Sequence, residues 1–151
     1  VVNVTSAADM ADVVKSKAAE QDIIIMTAAV ADFCPSHPAD EKIKKNDSSY
    51  ESVIELERTE DILSYLGAHK AKGQLICGFS METQNMLENS KAKLAKKNAD
   101  MIVANNLKVA GAGFGTDTNV VTLITADDCT ELEIMDKSCV AARIMDRLLK
   151  M

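Results

Sequence analysis

The chain has 151 residues, of which 47% are hydrophobic and 26% charged, and its formal net charge is −6 at pH 7. This length, with these fractions of hydrophobic and charged residues, excludes a disordered chain and predicts a single domain, 1–151, with a buried core. The negative charge argues against nucleic acid as a partner, and no apolar run reaches the roughly 20 residues that span a bilayer, so we expect no membrane partner and a cytoplasmic location.

The first half of the chain alternates apolar runs with amphipathic segments. Residues 22–30 are apolar and rich in β-branched side chains, which is typical of a central strand covered on both faces. Residues 31–49 break the pattern and predict a long loop. The other elements predicted here are a strand over 1–4, a helix that begins with a capping box at 6–9, an edge strand over 52–57, and a helix from its cap at Thr59 to about Lys70.

The second half continues the alternation and ends in a different pattern. Its predicted elements are a strand over 74–79, a Lys-rich helix over 84–98, a strand over 99–105, a hairpin of strands 120–125 and 131–135, and a helix over 137–149. Alternating strands and helices predict an α/β fold, namely a Rossmann-like, three-layer, doubly wound architecture with a mostly parallel sheet and a C-terminal antiparallel hairpin. Such folds bind ligands at the carboxyl ends of their strands.

The predicted strand at 22–30 ends in small residues, and an acid follows it. Small side chains at Thr27, Ala28 and Ala29 let a ligand approach the backbone. Asp32 can accept a hydrogen bond from a ribose hydroxyl or lie beside a cation. A carboxylate that only caps a helix or stabilises its own loop explains Asp32 equally well.

Lysines follow in two places. Lys42, Lys44 and Lys45 cluster on the predicted loop, where they suit a polyphosphate or simply remain solvated. Lys93 and Lys97 lie one turn apart on the predicted helix 84–98, so both can reach the same anionic ligand.

Two further candidates lie at the ends of predicted strands. Phe79 can pack on a base or a sugar, or it can belong to the core. Asn105 can bond a substrate or only its neighbouring loop.

Other patterns exclude several kinds of site. The segment 111–115 lacks the spacing of GxGxxG and opens no helix, which argues against a dinucleotide fingerprint. His37 and His69 have no partner at ligand spacing, so no metal centre is predicted and metal ligands stay unknown. The four cysteines form no CxxC pair, which favours reduced thiols with a structural role.

Taken in order, four segments resemble the bacterial phosphopantothenoylcysteine synthetase family. They are Ala28-Ala-Val-Ala-Asp-Phe33, Lys42-Ile-Lys-Lys45, Gly78-Phe-Ser-Met-Glu-Thr83 and Asp100-Met-Ile-Val-Ala-Asn105, and the resemblance spans nearly the whole chain. It implies a ligase that activates phosphopantothenate with CTP and Mg²⁺ to an acyl-cytidylate, releases pyrophosphate, and then couples cysteine in coenzyme A biosynthesis.

The same resemblance implies roles for individual residues. Lys42 would be catalytic, because it would meet the triphosphate and stabilise the charge that develops as pyrophosphate leaves. The loop from Lys42 to Asn46 would close over the site, and Asn105 and Lys45 are possible substrate residues. The residues implied to bind the nucleotide are Met26, Thr27, Ala28, Ala29, Asp32, Lys42, Glu60, Asp61, Ile62, Leu63, Phe79, Lys93 and Lys97.

The sequence departs from the family at two points. Glu60 stands where the family usually has proline, and the family's amino-terminal segment is not found before Val1, so we expect a fragment of a longer chain. The resemblance further implies a homodimer, a possible fusion to a flavin-dependent decarboxylase domain, and no flavin site in this segment. A non-catalytic nucleotide-binding module is the alternative. An NAD(P)-dependent oxidoreductase is less favoured, because 5–9 holds no glycine fingerprint.

Overall fold

The computed structural model describes residues 1–42, 53–82, 85–106, 113 and 115–151, which form an α/β fold. Its helices are α1 (Ala7–Ala18), α2 (Ile62–Ala68), α3 (Met86–Lys96) and α4 (Lys137–Leu148). Its strands are β1 (Ile23–Met26), β2 (Phe33–Pro35), β3 (Leu56–Arg58), β4 (Leu75–Glu82), β5 (Met101–Asn106), β6 (Thr118–Asn119), β7 (Val121–Ile124), β8 (Cys129–Glu131) and β9 (Met135–Asp136).

The central sheet has five strands in the order β1, β4, β5, β7, β8. Strand β4 lies parallel to both β1 and β5, whereas β7 is antiparallel to its neighbours β5 and β8. All strands of this sheet except β7 therefore run in one direction. The predicted α/β fold, with a mostly parallel sheet and a C-terminal antiparallel hairpin, is confirmed.

Helices cover both faces of this sheet. On one face, Ala11 of α1 and Leu66 of α2 pack in a buried cluster with Ile76 of β4. On the other face, Ile144 of α4 packs in a second cluster with Cys77 of β4. Because successive side chains of a strand point to opposite faces, the neighbours Ile76 and Cys77 serve the two layers separately.

Two predictions for the amino-terminal part are wrong. The predicted strand 22–30 is reduced to β1, which lies at the edge of the sheet and is only half-buried, not central and covered. Residues 1–4 form no strand among the described residues, and the side chains of Val1 and Val2 are exposed. An apolar run indicates a strand but not its partners, because pairing depends on residues far away in the sequence.

The predicted capping box at the start of α1 is confirmed. The Ser6 hydroxyl accepts a hydrogen bond from the Asp9 N–H at 3.0 Å, and the Asp9 carboxylate accepts one from the Ser6 N–H at 3.0 Å. Hydrogen bonds from Thr5 and Ser6 hold the pKa of Asp9 below its usual value. The two reciprocal bonds pair amide groups that a helix otherwise leaves without a partner.

Helix α2 is capped by Asp61 and not by Thr59, which corrects the prediction. Asp61 Oδ1 accepts a hydrogen bond from the Ser64 N–H at 2.9 Å. Thr59 instead bonds back to an earlier segment: its N–H donates to the Asp32 carbonyl at 3.0 Å and its hydroxyl donates to the Ala31 carbonyl. These contacts direct the Thr59 hydroxyl toward the earlier segment.

Strands β2 and β3 form an antiparallel pair outside the central sheet. In this pair Phe33 lies opposite Arg58, and the Arg58 guanidinium is 5.5 Å from the centre of the Phe33 ring. The predicted loop 31–49 therefore contains a strand, and the predicted edge strand 52–57 is shifted to Leu56–Arg58. The described residues 53–55 lie outside any strand.

The remaining elements follow the prediction closely. Strands β4 and β5 and helices α3 and α4 lie where the patterns place them, and the predicted hairpin is present as the pair β7 and β8, with Thr122 opposite Glu131. Its second strand is Cys129–Glu131 and not 131–135, so this part of the prediction is wrong. Met135 leaves that hairpin and pairs with Asn119 in the short β6-β9 ladder. None of the helices in the described part of the chain is long and apolar enough to cross a membrane.

Candidate functional site

A cavity of about 180 Å³ lies at the carboxyl end of β1, beside β4. Its walls come from the segment after β1, the turn before α2, strand β4 and helix α3. The lining residues are Met26, Ala28, Val30, Ala31, Asp32, Thr59, Glu60, Asp61, Ile62, Leu63, Phe79, Lys93 and Lys97. A doubly wound fold binds its ligands at this end of the strands.

Most of the residues predicted to bind a nucleotide line this one cavity, although they come from separate segments. Thr27, Ala29 and Lys42 are not among its described lining residues, and Lys42 is exposed. Lys45, and the predicted closing loop beyond Lys42, lie outside the described residues. The binding of a nucleotide in this cavity, and the contact of Lys42 with its phosphates, stay predictions.

Lys97 is mostly buried at the cavity wall, with 13% of its side chain exposed. Its ammonium group donates to Asp61 Oδ2 and to the Ser64 hydroxyl, the latter at 2.9 Å. Burial acts to raise the pKa of Asp61, but the bonds from Lys97 and from the Ser64 N–H outweigh it, and the pKa lies below its usual value. These bonds hold the Lys97 side chain in place before any ligand arrives.

Lys93 is held differently, one turn earlier on α3. Its Nζ donates to the carbonyl oxygen of Phe79 at 2.8 Å. No carboxylate pairs with Lys93 among the described residues. Among the described residues, the Lys93 ammonium bonds only to this carbonyl oxygen, so an anionic ligand would add a charged partner that Lys93 does not have there.

A buried hydrogen bond fixes α3 against the sheet. The hydroxyls of Ser80 in β4 and Ser90 in α3 lie 2.8 Å apart, and both side chains are buried. Lys93 and Lys97 follow Ser90 on the same helix. The predicted placement of these two lysines at one site is therefore a consequence of how α3 docks on β4.

Glu60 lines the cavity from the turn before α2 and is tied to α1. Its carboxylate accepts a hydrogen bond from Lys15, whose ammonium also lies 4.9 Å from the centre of the Tyr65 ring. The hydrogen bond from Lys15 to Glu60 is the main reason why the pKa of Lys15 is raised. The residue that departs from the family pattern thus links the helix α1 to the turn before α2.

The residue-level reasoning missed Val30, Ala31 and Thr59 in the lining. Thr59 reaches the cavity because it bonds to Ala31 and Asp32, next to the β2-β3 pair. No local sequence pattern predicts the contact between Thr59 and Ala31, which are 28 residues apart. Phe79 fits both of its predicted alternatives, since it lines the cavity and also packs against the core cluster that contains Cys77.

Asn105 lies at the end of β5 and bonds to another asparagine. The Asn119 side-chain NH₂ donates to Asn105 Oδ1 at 2.8 Å. This partner belongs to strand β6 and not to the loop that follows Asn105. The contact of Asn105 with a substrate stays a prediction.

The structure bears on the role of one cysteine, Cys77. All four are unpaired thiols. Cys77 is fully buried, and this burial, with the nearby charge of Asp100, raises the pKa of its thiol to about 12. A thiol with such a pKa stays protonated at neutral pH, which agrees with the predicted structural role.

The described lining of the cavity offers too few free carboxylates to bind a metal ion by itself, but it fits an ion that enters bound to a polyphosphate. No group of three or more potential metal ligands occurs among the described residues. Of the carboxylates in the lining, Glu60 and Asp61 are paired with lysines, and Asp32 has no ion-pair partner in the described part of the chain. Mg²⁺ carried by a polyphosphate commonly uses one or two protein carboxylates, so Asp32 is the lining residue that would hold it.

A family model described as DNA/pantothenate metabolism flavoprotein C-terminal domain matches residues 1–151. The Coenzyme A biosynthesis bifunctional protein CoaBC of Bacillus subtilis (strain 168) is 47% identical over 148 residues, which cover 97% of this chain and 36% of that protein. A Cysteine/Cysteine sulfinic acid decarboxylase from an unknown prokaryotic organism is 45% identical over 150 residues, which cover 99% of this chain and 41% of that protein. The chain spans less than half the length of these curated relatives.

Solved structures show the same fold. The crystal structure of the C-terminal domain of Coenzyme A biosynthesis bifunctional protein CoaBC has a TM-score of 0.79 and 42% identity, and the match covers 99% of this chain and 66% of that one. A Cab2 mutant in complex with phosphopantothenate-cysteine has a TM-score of 0.69 and 18% identity, covering 99% and 52%. The second likeness concerns the fold alone.

Proposed function

This chain belongs to the family of DNA/pantothenate metabolism flavoprotein C-terminal domains, and on that premise we propose that it is a phosphopantothenate–cysteine ligase of coenzyme A biosynthesis. The observation that carries the proposal is the cavity with Lys93 and Lys97 on one wall, in a chain 47% identical to a coenzyme A biosynthesis protein. The Cab2 complex with phosphopantothenate-cysteine supports the choice of product, since that neighbour shares the fold.

The proposed reaction has two steps. A carboxylate oxygen of phosphopantothenate attacks the α-phosphorus of CTP, the bond to pyrophosphate breaks, and an acyl-cytidylate forms. The amine of cysteine then attacks the acyl carbon and loses a proton, CMP leaves, and an amide forms. CTP as the nucleotide rests on the family resemblance, and ATP is its competitor in the test below.

The cavity residues have distinct roles in this scheme. Lys93 and Lys97 bind phosphate oxygens of the nucleotide, because both ammonium groups are in place before the ligand arrives. Lys42 binds the phosphates from the exposed side and stabilises the charge on the departing pyrophosphate. The small residue Ala28 allows the ligand to approach the backbone.

Mg²⁺ bound to the nucleotide phosphates would be held by Asp32, and it would neutralise part of their negative charge. Asp32 lines the cavity and is exposed there. Its carboxylate therefore remains accessible to an ion that enters together with the nucleotide.

The oligomeric state, the location and the domain context of the chain belong to the same proposal. We expect one nucleotide-binding unit that works as a homodimer in the cytoplasm, joined in longer relatives to a flavin-dependent decarboxylase domain. The name of the Bacillus subtilis relative as a bifunctional protein supports such a fusion. The competing function is a nucleotide-binding module without turnover.

The test measures CTP and ATP binding by calorimetry, and pyrophosphate release after addition of phosphopantothenate, cysteine and Mg²⁺. We expect CTP-dependent release that falls at least about tenfold in Lys97→Ala and in Lys42→Ala, since each substitution removes a charged hydrogen-bond donor from the phosphates. Lys93→Ala should weaken CTP binding by a similar factor.

Lys91→Ala and Lys96→Ala are the matched controls, because they remove the same charge from exposed positions of α3. They should leave binding and release unchanged. Tight CTP binding without pyrophosphate release would favour the non-catalytic module. Equal losses in the control and the cavity variants would show that only the overall charge of the helix matters.

A further inference from the structure

An ion pair connects the wall of the cavity to helix α1. Glu60 and Asp61 follow one another in the turn before α2, and both line the cavity. Asp61 pairs with Lys97, which lines the same cavity. Glu60 instead pairs with Lys15 of α1, which is not among the described lining residues. The charge of Lys15 therefore acts on the cavity from outside its lining.

The described lining carries more carboxylates than ammonium groups. It contains three carboxylates and two ammonium groups, so its formal charge is −1, which opposes the entry of a polyphosphate. These groups belong to Asp32, Glu60, Asp61, Lys93 and Lys97. The ammonium group of Lys15 offsets the excess, because it is bonded directly to one of the three carboxylates.

Lys15 is held in place by two contacts. Its ammonium group donates to Glu60 Oε2, and it lies 4.9 Å from the centre of the Tyr65 ring on α2, whose face attracts a cation. The hydrogen bond to Glu60 is the main reason why the pKa of Lys15 is raised, so Lys15 is charged at neutral pH. The pair of Lys15 and Glu60 is thus formed without a ligand, and the Glu60 carboxylate is bonded toward α1.

We propose that Lys15 is a positioning residue for polyphosphate binding: it neutralises Glu60 and holds its carboxylate toward α1, so that the nucleotide phosphates meet no unpaired carboxylate there. This inference rests on the proposed ligase function. Glu60 stands where the family usually has proline, so this chain carries a negative charge that proline lacks. Lys15 acts on the nucleotide only through Glu60.

Two single variants test the proposal, because they should act in opposite directions. Lys15→Gln leaves Glu60 charged and unpaired in the lining, and we expect about threefold to tenfold weaker CTP binding. Glu60→Gln removes the carboxylate while Lys15 keeps its charge, and we expect CTP to bind about twofold to threefold more tightly. Calorimetry at about 0.1 M salt and a fixed Mg²⁺ concentration measures both affinities.

Three further measurements distinguish neutralisation of charge from a role in folding. The double variant Lys15→Gln with Glu60→Gln should recover the affinity that Lys15→Gln loses, since no unpaired charge remains. The loss in Lys15→Gln should be smaller for CMP than for CTP, because CMP has fewer charged phosphate groups. It should also shrink in about 1 M salt, where charges are screened within about 3 Å.

Lys17→Gln is the matched control. It removes the same charge from the same helix, but the Lys17 side chain is exposed and makes no ion pair among the described residues. CTP binding should change by less than about twofold, since an exposed charge is strongly screened. A loss in Lys17→Gln as large as that in Lys15→Gln would show that only the net charge of α1 matters, and the inference would be wrong.

The outcomes separate this inference from the function on which it rests. If Lys15→Gln and Glu60→Gln both weaken the binding of CTP and CMP to the same extent, the pair is only structural and the inference is wrong. If Lys15→Gln binds CTP like the unmodified protein, the inference is also wrong, and pyrophosphate release by the unmodified protein still supports the ligase proposal. If ATP binds in place of CTP, ATP and AMP become the pair of probes. If the unmodified protein binds neither nucleotide, both proposals fail.

Discussion

Asp61 joins two tasks in one side chain. Its Oδ1 caps α2 through the Ser64 N–H, and its Oδ2 accepts from Lys97. A mostly buried ammonium group is costly without a partner, and Asp61 supplies that partner from the neighbouring helix. The single residue therefore couples the start of α2 to the position of a cation in the candidate site.

The first prediction concerns the pH dependence of stability. The pKa of Asp61 in the folded protein lies below 3.8, the usual value of an aspartate, so its carboxylate stabilises the fold above that pH, and this contribution is lost as the pH falls through the folded pKa. Asp61→Asn keeps a capping oxygen but removes the charge. We expect the variant to be less stable at pH 7, and the difference to shrink as the pH falls through the folded pKa of Asp61.

The expected loss of stability in Asp61→Asn is modest. Asp61 is 49% exposed, so solvent screens the pair and we expect less than about 1 kcal/mol in urea unfolding at pH 7. Asp127→Asn, at an exposed position on the β7-β8 turn, should show no such dependence. A constant difference between Asp61→Asn and the unmodified protein from pH 7 to pH 2.5 would contradict the assignment to charge.

At the scale of elements, helices α2 and α3 meet at a glycine. A Cβ atom on Gly67 would lie 1.8 Å from the carbonyl oxygen of Lys97, and the Asn98 side chain donates to the Gly67 carbonyl at 2.8 Å. Only a residue without a side chain permits this approach. The contact lies beside Lys97, so the packing of two helices and the geometry of the cavity depend on the same point.

The second prediction follows from this contact. Gly67→Ala must push α2 away from the end of α3, because the nearest atom belongs to backbone and cannot turn aside. We expect a loss of about 3 kcal/mol in the free energy of unfolding, and weaker CTP binding by the folded fraction, since Lys97 moves. Chemical denaturation and calorimetry measure the two effects.

Ala68→Ser is the matched control, because Ala68 is the exposed neighbour of Gly67 in the same helix. It should change stability by less than about 0.5 kcal/mol. A stable Gly67→Ala protein with normal CTP binding would mean that the two helices can separate without disturbing the cavity.

At the scale of the whole molecule, the buried residues of α4 lie apart from the candidate site, although Phe79 packs against their cluster and also lines the cavity. Helix α4 covers the face opposite α1 and α2, and its buried residues Val140, Ile144 and Leu148 do not line the cavity. The sheet face covered by α4 contributes to stability, whereas the candidate binding site lies at the carboxyl ends of β1 and β4. Such a division is typical of doubly wound folds.

The third prediction tests that division. Leu148 is 1% exposed and Leu149, its neighbour, is 71% exposed. We expect Leu148→Ala to cost about 3 kcal/mol by leaving a cavity in the core, and Leu149→Ala to cost less than about 0.5 kcal/mol. Neither variant should alter the affinity of the folded protein for CTP. A large change of affinity in Leu148→Ala would show that α4 and the cavity are coupled.

Several features of this protein are determined by the sequence alone. The capping box of Ser6 and Asp9, the strands β4 and β5, and the shared face of Lys93 and Lys97 all depend on residues within about four positions of each other, where helix and strand periods act directly. The order of the motifs likewise indicates the family, which the match over residues 1–151 then shows.

Only the tertiary structure decided the rest. The edge position of β1, the pairing of β2 with β3, the bond from Thr59 to Ala31 and the amide pair of Asn105 and Asn119 join segments that are distant in the chain. Such contacts form only where the packing of the whole molecule makes them more favourable than contacts with water or with other partners. Local sequence patterns do not contain this information, so they cannot predict these contacts.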